Sequence, residues 1–258
     1  RSEAELTQRD MDLAASVQKV TEEVIVKLAK GIAQDTAQKN LCLAGGVALN
    51  CVANGIILNE KIFENVWIQP AAGDAGGAIG AALSVWYLHH NKKRSASLGR
   101  DSMKGSYLGP EFKNDDIEAE LNACGAVYVK LQEDQLISEV VNALDDKKAI
   151  GWMQGRMEFG PRALGGRSII ADPRSPYMQK QLNLKVKYRE SFRPFAPSVL
   201  REDVSNWFEL EEDSPYMLLV AKVVESERRS VTEEEQSLFG IDKLNVTRSS
   251  VPAITHID

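Results

Sequence analysis

Residues 40–50, which read NLCLAGGVALN, decide the fold class of this chain. An apolar run of strand length opens onto Gly45-Gly46, and residues 47–59 can continue as a helix. The same order returns in VWIQPAAGDAGG, residues 66–77, where a strand and a glycine-rich turn precede a tightly packed, alanine-rich helix over residues 78–89. This order predicts an α/β fold with ligand-facing loops at the carboxyl ends of the strands.

A long helix is predicted ahead of this pattern, from about Gln8 to Thr36. Thr7 and Asp10 have the spacing of a helix-capping pair. Apolar residues then recur every three or four positions, at Leu13, Val17, Val20, Val24, Leu28 and Ile32. The period predicts an amphipathic helix that packs this stripe against a sheet.

The remainder of the chain has a different order of elements. Residues 91–100 are polar and lack an apolar period, as a linker does. Beyond them, the patterns predict helices at residues 115–122, 133–145 and 178–185, and strands at residues 126–130, 149–153, 168–171, 217–224 and 253–257. We therefore expect a second domain of the α+β class with a mixed sheet.

Length and composition limit the class of protein. With 258 residues and 43% hydrophobic content, the chain can form one large or two ordinary domains. Three cysteines without C-x-x-C spacing favour a reduced, cytoplasmic protein, and no apolar run reaches the roughly 20 residues of a membrane span. Because the chain starts without methionine and stops inside a predicted strand, we expect a fragment.

Residues 155–168, GRMEFGPRALGGRS, indicate an anion site. The glycines let backbone N–H groups approach a ligand, and Arg156, Arg162 and Arg167 offer paired donors for phosphate or carboxylate oxygens. A surface turn with solvated arginines is the alternative. Residues 152–201 hold ten basic and three acidic residues, although the whole chain has a net charge of −6. That concentration favours a pocket for a small anionic substrate.

Further candidate residues lie on both sides of this segment. Lys187 and Arg193, near prolines and aromatic residues, are predicted to meet Arg162 around a triphosphate or an acyl phosphate. Scattered surface bases are the alternative for any one of them. His256 and Asp258 would share one face of a strand and assist the site, or form a structural hydrogen bond.

The first half of the chain offers candidate sites in its two glycine-rich turns. Gly45 and Gly46 stand where unpaired N–H groups at a helix start can hold a phosphate. Asn50 either contacts the nucleotide or caps the backbone. Asp74 is either a ligand for a divalent cation or a helix N-cap, and the residues alone favour the cap.

Four segments together resemble the large O-carbamoyltransferases that decorate nodulation factors and antibiotics. They are GGVALN at residues 45–50, GDAGGA at residues 73–78, GRMEFGPRALGGRS at residues 155–168 and SFRPFAP at residues 191–197. The last two are long and specific, and the resemblance extends over nearly the whole chain.

The resemblance implies two modules. Residues 1–98 would be the C-terminal lobe of an actin-like ATPase (ASKHA) module whose N-terminal lobe is absent, and residues 99–258 a truncated α+β YrdC-like domain. Carbamoyl phosphate and ATP would give carbamoyl-adenylate in the second module. The carbamoyl group would then pass to a hydroxyl of a small-molecule or sugar acceptor near a divalent metal, with Fe²⁺ favoured there and Mg²⁺ accompanying ATP.

The resemblance also assigns residues by motif. Asp74 becomes a metal ligand instead of a cap, and Gly45, Gly46 and Asn50 contact the nucleotide. Arg162, Lys187 and Arg193 grip the phosphates as catalytic residues. Further substrate or nucleotide contacts fall on Arg156, Arg167, Ser168 and His256.

The sequence departs from the family pattern at both ends. The family's pair of metal-binding histidines about four residues apart is missing, and so is a later segment rich in asparagine and serine. We therefore expect this chain alone to hold its metal weakly and to leave carbamoyl transfer incomplete. Two other functions stay open, a tRNA-binding protein of the threonylcarbamoyl type and a non-catalytic anion sensor. Nucleic acid ranks below small anions because stacking aromatic residues are scarce.

Overall fold

The computed structural model describes residues 6–95 and 101–256, which form two compact units. Unit 1 holds the described residues up to Ser102, together with Gly160–Arg162 and Ser214–Ala221. Unit 2 holds Met103–Phe159, Ala163–Asp213 and the described residues from Lys222 onward. Both units combine helices with strands, as predicted. The boundary predicted between residues 98 and 99 lies outside the described residues.

Unit 1 contains the elements that the two glycine-rich turns predict. They are α1 (Gln8–Thr36), β1 (Asn40–Leu43), a 3₁₀ turn (Gly46–Leu49), α2 (Cys51–Asn59), β2 (Asn65–Ile68) and α3 (Asp74–Ser84), which a π-helical turn (Val85–His89) continues. β1 and β2 are parallel, with Asn40 opposite Asn65 and Leu43 opposite Ile68. The helix predicted over residues 47–59 is in fact two elements.

The packing face of α1 differs from the prediction. Thr7 and Asp10 form the predicted capping box, and both predicted ends are confirmed. The stripe from Leu13 to Ile32, however, is 46–66% exposed, so its predicted role in the core is wrong. The neighbouring face packs instead, where Ala29, flanked by Ile25 and Ala33, joins a cluster with Leu41, Ile57 and Phe63. Small side chains let the helix approach the narrow two-stranded sheet.

α3 is also less buried than its alanine content predicts. It has no buried residue, so the predicted tight packing is wrong. Gly76 alone makes a close approach, since a Cβ atom there would lie 2.1 Å from the Ala71 carbonyl oxygen. The small residues of this helix therefore permit one backbone contact near its start and are otherwise open.

Unit 2 is organised around one antiparallel strand pair and three helices. β3 (Ile150–Met153) pairs with β4 (Arg167–Ile170), so that Met153 lies opposite Arg167. The helices are α4 (Asn114–Ala123), α5 (Glu133–Asp145) and α6 (Met178–Lys185), followed by the short α7 (Val204–Trp207), α8 (Glu233–Ser237) and α9 (Gly240–Leu244). Met178 and Leu182 of α6 pack with Ala253 in a buried cluster.

Three predicted strands do not form. Residues 126–130 pair with no strand in the described ranges, and Val127 is fully exposed there. Residues 217–224 contribute an isolated bridge from Val223 to Phe208, and Pro252–Ile254 is a 3₁₀ turn. The predicted mixed sheet is therefore an antiparallel pair in the part of unit 2 that the structure describes. Strand propensity depends on its surroundings, and the one pairing of these segments in the described ranges, between residues 207–209 and 222–224, is too short to form a strand.

Candidate functional site

The arginine loop, residues 155–168, is organised by a buried carboxylate. Glu158 is 8% exposed, and its Oε1 accepts hydrogen bonds from the N–H groups of Leu164 at 2.7 Å, Gly166 at 2.7 Å and Arg167 at 3.3 Å. Burial raises the pKa of this carboxyl, but backbone hydrogen bonds outweigh burial and the net pKa is lowered. The loop is thus folded around an ionised glutamate.

Two of the predicted ligand contacts brace the loop from inside. The Arg167 guanidinium donates to the carbonyls of Gln154 at 3.1 Å, Gly155 at 3.2 Å and Gly166 at 2.7 Å. The Ser168 hydroxyl accepts a hydrogen bond from the Gly165 N–H at 2.9 Å. The groups that sequence assigns to substrate therefore already have partners within the loop.

The backbone at Gly166 passes so close to Arg156 and Glu158 that there is no room for a side chain. A Cβ atom at this position would lie 2.6 Å from the Arg156 carbonyl oxygen and 3.0 Å from the Glu158 carboxylate. The Arg156 side chain is exposed, donates to the Gly109 carbonyl at 3.1 Å and lies 3.6 Å from a Glu111 carboxylate oxygen. Arg156 thus faces solvent, where an anion can reach it.

The middle of the arginine loop belongs to unit 1. The Arg162 guanidinium donates to the Leu49 carbonyl at 3.2 Å, and its buried Nε has no hydrogen-bond partner among the described residues. Gly160, at φ +126°, passes close to Pro70, whose carbonyl oxygen would lie 3.2 Å from a Cβ atom. Arg162 therefore lies beside the turn that starts at Gly45, while its predicted meeting with Lys187 and Arg193 stays a prediction.

The turn at Gly45 has the open backbone expected of a phosphate-binding loop. Gly45 has φ +101°, its N–H donates to the Ala72 carbonyl at 2.8 Å, and no atom lies within 4 Å of a Cβ built on Gly45 or Gly46. Asn50 caps α2 by accepting from the Ala53 N–H at 3.1 Å, which confirms the capping alternative. Nucleotide contact by Gly45, Gly46 and Asn50 stays a prediction.

Asp74 begins α3 with an exposed side chain. The N-cap residue is Gly73, so the interpretation of Asp74 as a cap is wrong. A carboxylate in the first turn is favoured by the helix dipole. The described residues contain no group of three His, Cys, Asp or Glu side chains that could hold a metal ion. Asp74 therefore offers one ligand, and a complete metal site would need ligands from beyond the described residues.

The basic loop, residues 185–195, is fastened to α6 by Asn183. This amide is completely buried and donates to the carbonyls of Ser191 at 3.0 Å and Arg193 at 2.9 Å. Its Oδ1 accepts from the Arg189 Nε at 2.6 Å, and the Arg189 guanidinium lies 5.1 Å from the Phe195 ring. Every polar group of the Asn183 side chain thus holds the loop.

Lys187 and Arg193 are exposed cations of this loop, as is Lys185 at the end of α6. Arg193 is ion-paired with Glu190 at 2.8 Å, and the Lys187 ammonium has no hydrogen bond or ion pair in the described ranges. The cavities lined by Leu131–Glu139 residues and by Val141–Arg174 residues in unit 2 include neither cation. The Lys187 and Arg193 side chains are both exposed, so a ligand can reach them from the surface of the loop.

His256 does not lie on a strand. The 3₁₀ turn Pro252–Ile254 replaces the predicted strand, and His256 follows it with an exposed side chain. Its predicted partner Asp258 lies outside the described residues. The strand-based argument for this pair is thus wrong, although a ligand contact by His256 stays a prediction.

Glu158, Asn183 and Arg189 are the organising residues that sequence reasoning missed. Asn183 carried a usable signal, because a single amide stands between Leu182 and Leu184 in a helix. A buried polar side chain of this kind needs partners, and nearby loop carbonyls are the usual ones. Glu158 gave no comparable signal, since an acidic residue among arginines is most simply explained as a counter-charge.

Comparison with known proteins gives two family matches. The Carbamoyltransferase N-terminus model matches residues 1–83, and the Carbamoyltransferase C-terminus model matches residues 141–258. The uncharacterized protein sll1178 of Synechocystis sp. is 58% identical over 99% of this chain and 42% of its own length. Nodulation protein NolO of Bradyrhizobium diazoefficiens is 42% identical over 85% of this chain and 40% of its own length.

The chain spans less than half the length of these curated relatives. Nodulation protein NolNO of Sinorhizobium fredii is also 42% identical, over 86% of this chain and 32% of its own length. No helix in the described part of the chain has the length and apolar character needed to cross a membrane.

Proposed function

This chain belongs to the carbamoyltransferase family, and on that premise we propose that it serves ATP-dependent O-carbamoylation, with carbamoyl phosphate as donor and a hydroxyl of a small molecule or sugar as acceptor. The observation that carries the proposal is the pair of family matches, which together include every candidate site residue from Gly45 to His256. The chain spans less than half the length of these relatives. Activity, substrates and partners are therefore proposed for a protein of the relatives' full length that contains this chain.

The proposed chemistry has three steps. Water first releases inorganic phosphate from carbamoyl phosphate and leaves carbamate. The carbamate oxygen then displaces pyrophosphate from the α-phosphorus of ATP, giving carbamoyl-adenylate. The acceptor hydroxyl finally attacks the carbamoyl carbon, loses its proton and releases AMP. Each step gathers negative charge on the phosphate oxygens of its leaving group, which fixed cations stabilise.

The basic loop supports the role of Lys187 and Arg193 in this scheme. The Lys187 ammonium group has no competing partner in the described ranges. To bind a phosphate, Arg193 would have to give up only its exposed ion pair with Glu190. Exposed ion pairs contribute about 0–1 kcal/mol, so this exchange costs little. Arg162 belongs to unit 1, where it lies beside the Gly45 turn, and its role toward the phosphates is proposed from the resemblance alone.

A divalent metal enters the proposal only as an ion that Asp74 would bind. When bound, such an ion polarises oxygen atoms and neutralises phosphate charge. Asp74 supplies one exposed carboxylate, which is insufficient alone, so no step is assigned to the metal. Iron at Asp74 and Mg²⁺ with ATP follow from the resemblance.

The test is pyrophosphate release by a protein of the relatives' full length that contains this chain. We expect release that requires both ATP and carbamoyl phosphate, and we expect Lys187→Ala to lower it at least about tenfold through loss of one phosphate contact. Lys180→Ala is the matched control, because Lys180 is exposed on α6 in the same basic segment.

The outcomes separate the alternatives. Folded protein of that full length that binds carbamoyl phosphate without releasing pyrophosphate would contradict the catalytic proposal and favour an anion sensor. Affinity for tRNA that falls steeply with salt, in the absence of carbamoyl phosphate binding, would favour the nucleic-acid alternative.

A further inference from the structure

Tyr188 combines an exposed aromatic ring with an unfavourable backbone conformation. It lies in the basic loop between Lys187 and Arg189, its side chain is 86% exposed, and its φ is +49°. Among the non-glycine residues with positive φ in residues 6–95 and 101–256, it is the aromatic one. Side chains with a Cβ atom are disfavoured in this left-handed region, and glycine is the usual residue there.

The conformation of Tyr188 is held from both sides. The Lys187 N–H donates to the Leu182 carbonyl at 2.9 Å, and the Arg189 N–H donates to the Asn183 carbonyl at 3.0 Å. Leu182 and Asn183 are themselves buried in α6. The left-handed turn is therefore required by the end of the helix, whichever residue occupies position 188.

Packing does not explain a tyrosine at this position. The ring buries almost none of its surface, and it makes no hydrogen bond or ring contact in the part of the chain that the structure describes. Single exposed apolar side chains are common, but most do not also occupy a conformation that glycine adopts more easily. Neither packing nor hydrogen bonding in the described residues thus accounts for the ring, which leaves its faces open to a ligand.

We infer that Tyr188 is a nucleobase-stacking residue, which receives the purine ring of ATP while Lys187 and Arg193 contact its phosphates. The inference rests on the proposed function, because it takes the same loop as the nucleotide site. A flat, exposed aromatic face beside two exposed cations matches a ligand that has a π-face at one end and several negative charges at the other. Arg189 takes no part, because its guanidinium is held by Asn183.

The experiment compares ATP with inorganic pyrophosphate as probes for the 258-residue chain and its variants. Tyr188→Gly and Tyr188→Leu should bind ATP about tenfold more weakly and pyrophosphate unchanged, since only ATP has a base. Tyr188→Phe should bind both as the original chain does. Tyr188→Gly should also unfold at an equal or higher urea concentration, because glycine relieves the left-handed strain.

Lys147→Gly is the matched control. Lys147 is exposed, follows α5 and has φ +60°, so glycine relieves the same strain at a site without a candidate ligand. It should raise the unfolding midpoint and leave ATP affinity unaltered.

Two results would overturn the inference, and they are distinguishable. If the original chain binds ATP and Tyr188→Gly and Tyr188→Leu bind it equally well, the stacking role is wrong and the proposed function is untouched. If the folded original chain binds no ATP, the proposed function fails and the inference fails with it. Parallel loss of ATP and pyrophosphate binding would show a loosened loop and would also contradict stacking.

Discussion

The arginine loop should lose stability when Glu158 loses its charge. In Glu158→Gln, one amide oxygen replaces an ionised carboxylate that accepts N–H groups from Leu164, Gly166 and Arg167. Hydrogen bonds to a charged group contribute about 1.5–3 kcal/mol, compared with about 0.5–1.5 kcal/mol for neutral ones. Because the amide oxygen can keep part of this network, we expect a loss of about 1–2 kcal/mol in the free energy of unfolding at pH 7.

The pH dependence gives this prediction its sign. Folding lowers the pKa of Glu158, so its contribution to stability is fully present above the ordinary glutamate pKa of about 4.3 and is lost as pH falls through the lowered folded value. The difference between the original chain and Glu158→Gln should therefore be largest near neutral pH and should shrink below pH 4.3.

Urea unfolding at several pH values, followed by tryptophan fluorescence, measures this difference, and Trp152 in β3 is one of the four tryptophans that contribute to the signal. The matched control is Glu139→Gln, an exposed residue of α5 whose change should stay within about 0.5 kcal/mol. Equal stability of Glu158→Gln and the original chain at pH 7, or a difference that does not shrink as the pH is lowered from about 4.3 toward about 3, would refute the role of the ionised carboxylate.

Three further predictions concern the described contacts. Asn183→Leu should lower the free energy of unfolding by about 2–3 kcal/mol in urea titrations, because the carbonyls of Ser191 and Arg193 lose a buried donor; an unchanged midpoint would contradict this. Gly166→Ala should cost more than about 2 kcal/mol by the same measurement, whereas Gly151→Ala, with no atom within 4 Å of its Cβ, should cost less than about 1 kcal/mol. Thr7→Ala should remove the capping box of α1 and lower helix content by circular dichroism, at a cost of about 1 kcal/mol, and identical spectra and melting would count against it.

Local patterns predicted the helices well. The bounds of α1, α5 and α6 agree with the sequence prediction, because caps and a 3.6-residue period are properties of the segment itself. The strand predictions were confirmed where a neighbouring strand was present, as for β1 and β2. They failed where no such partner was present in the described ranges, as at Val127. The packing face of α1 was predicted wrongly for a related reason. The sequence of the helix does not determine how wide the sheet beside it is.

The structure shows the surroundings of the candidate site residues, and their ligand contacts stay predictions. The glycines lie in the turns after β1 and β2, and Lys187 and Arg193 are exposed. The roles of Glu158 and Asn183 depend on which backbone groups the loops bring to them, and a pattern along the chain does not contain that information.

Not every basic residue of this segment is available to bind an anion. The Arg167 guanidinium donates hydrogen bonds to carbonyls of its own loop, and the Arg189 guanidinium donates to Asn183. Arg174 is ion-paired with the carboxylates of Asp172 and Asp145. These groups still contribute to the electrostatic potential, but their hydrogen-bonding directions are used.

Contact with a phosphate requires donors that are free to turn toward it, and specificity follows from contacts more than from potential. In unit 2 the exposed ammonium of Lys187 and the weakly paired guanidinium of Arg193 meet that condition. On the proposed function, the excess of basic residues would attract an anion to this segment, and two side chains on one loop, held by a buried amide, would bind it.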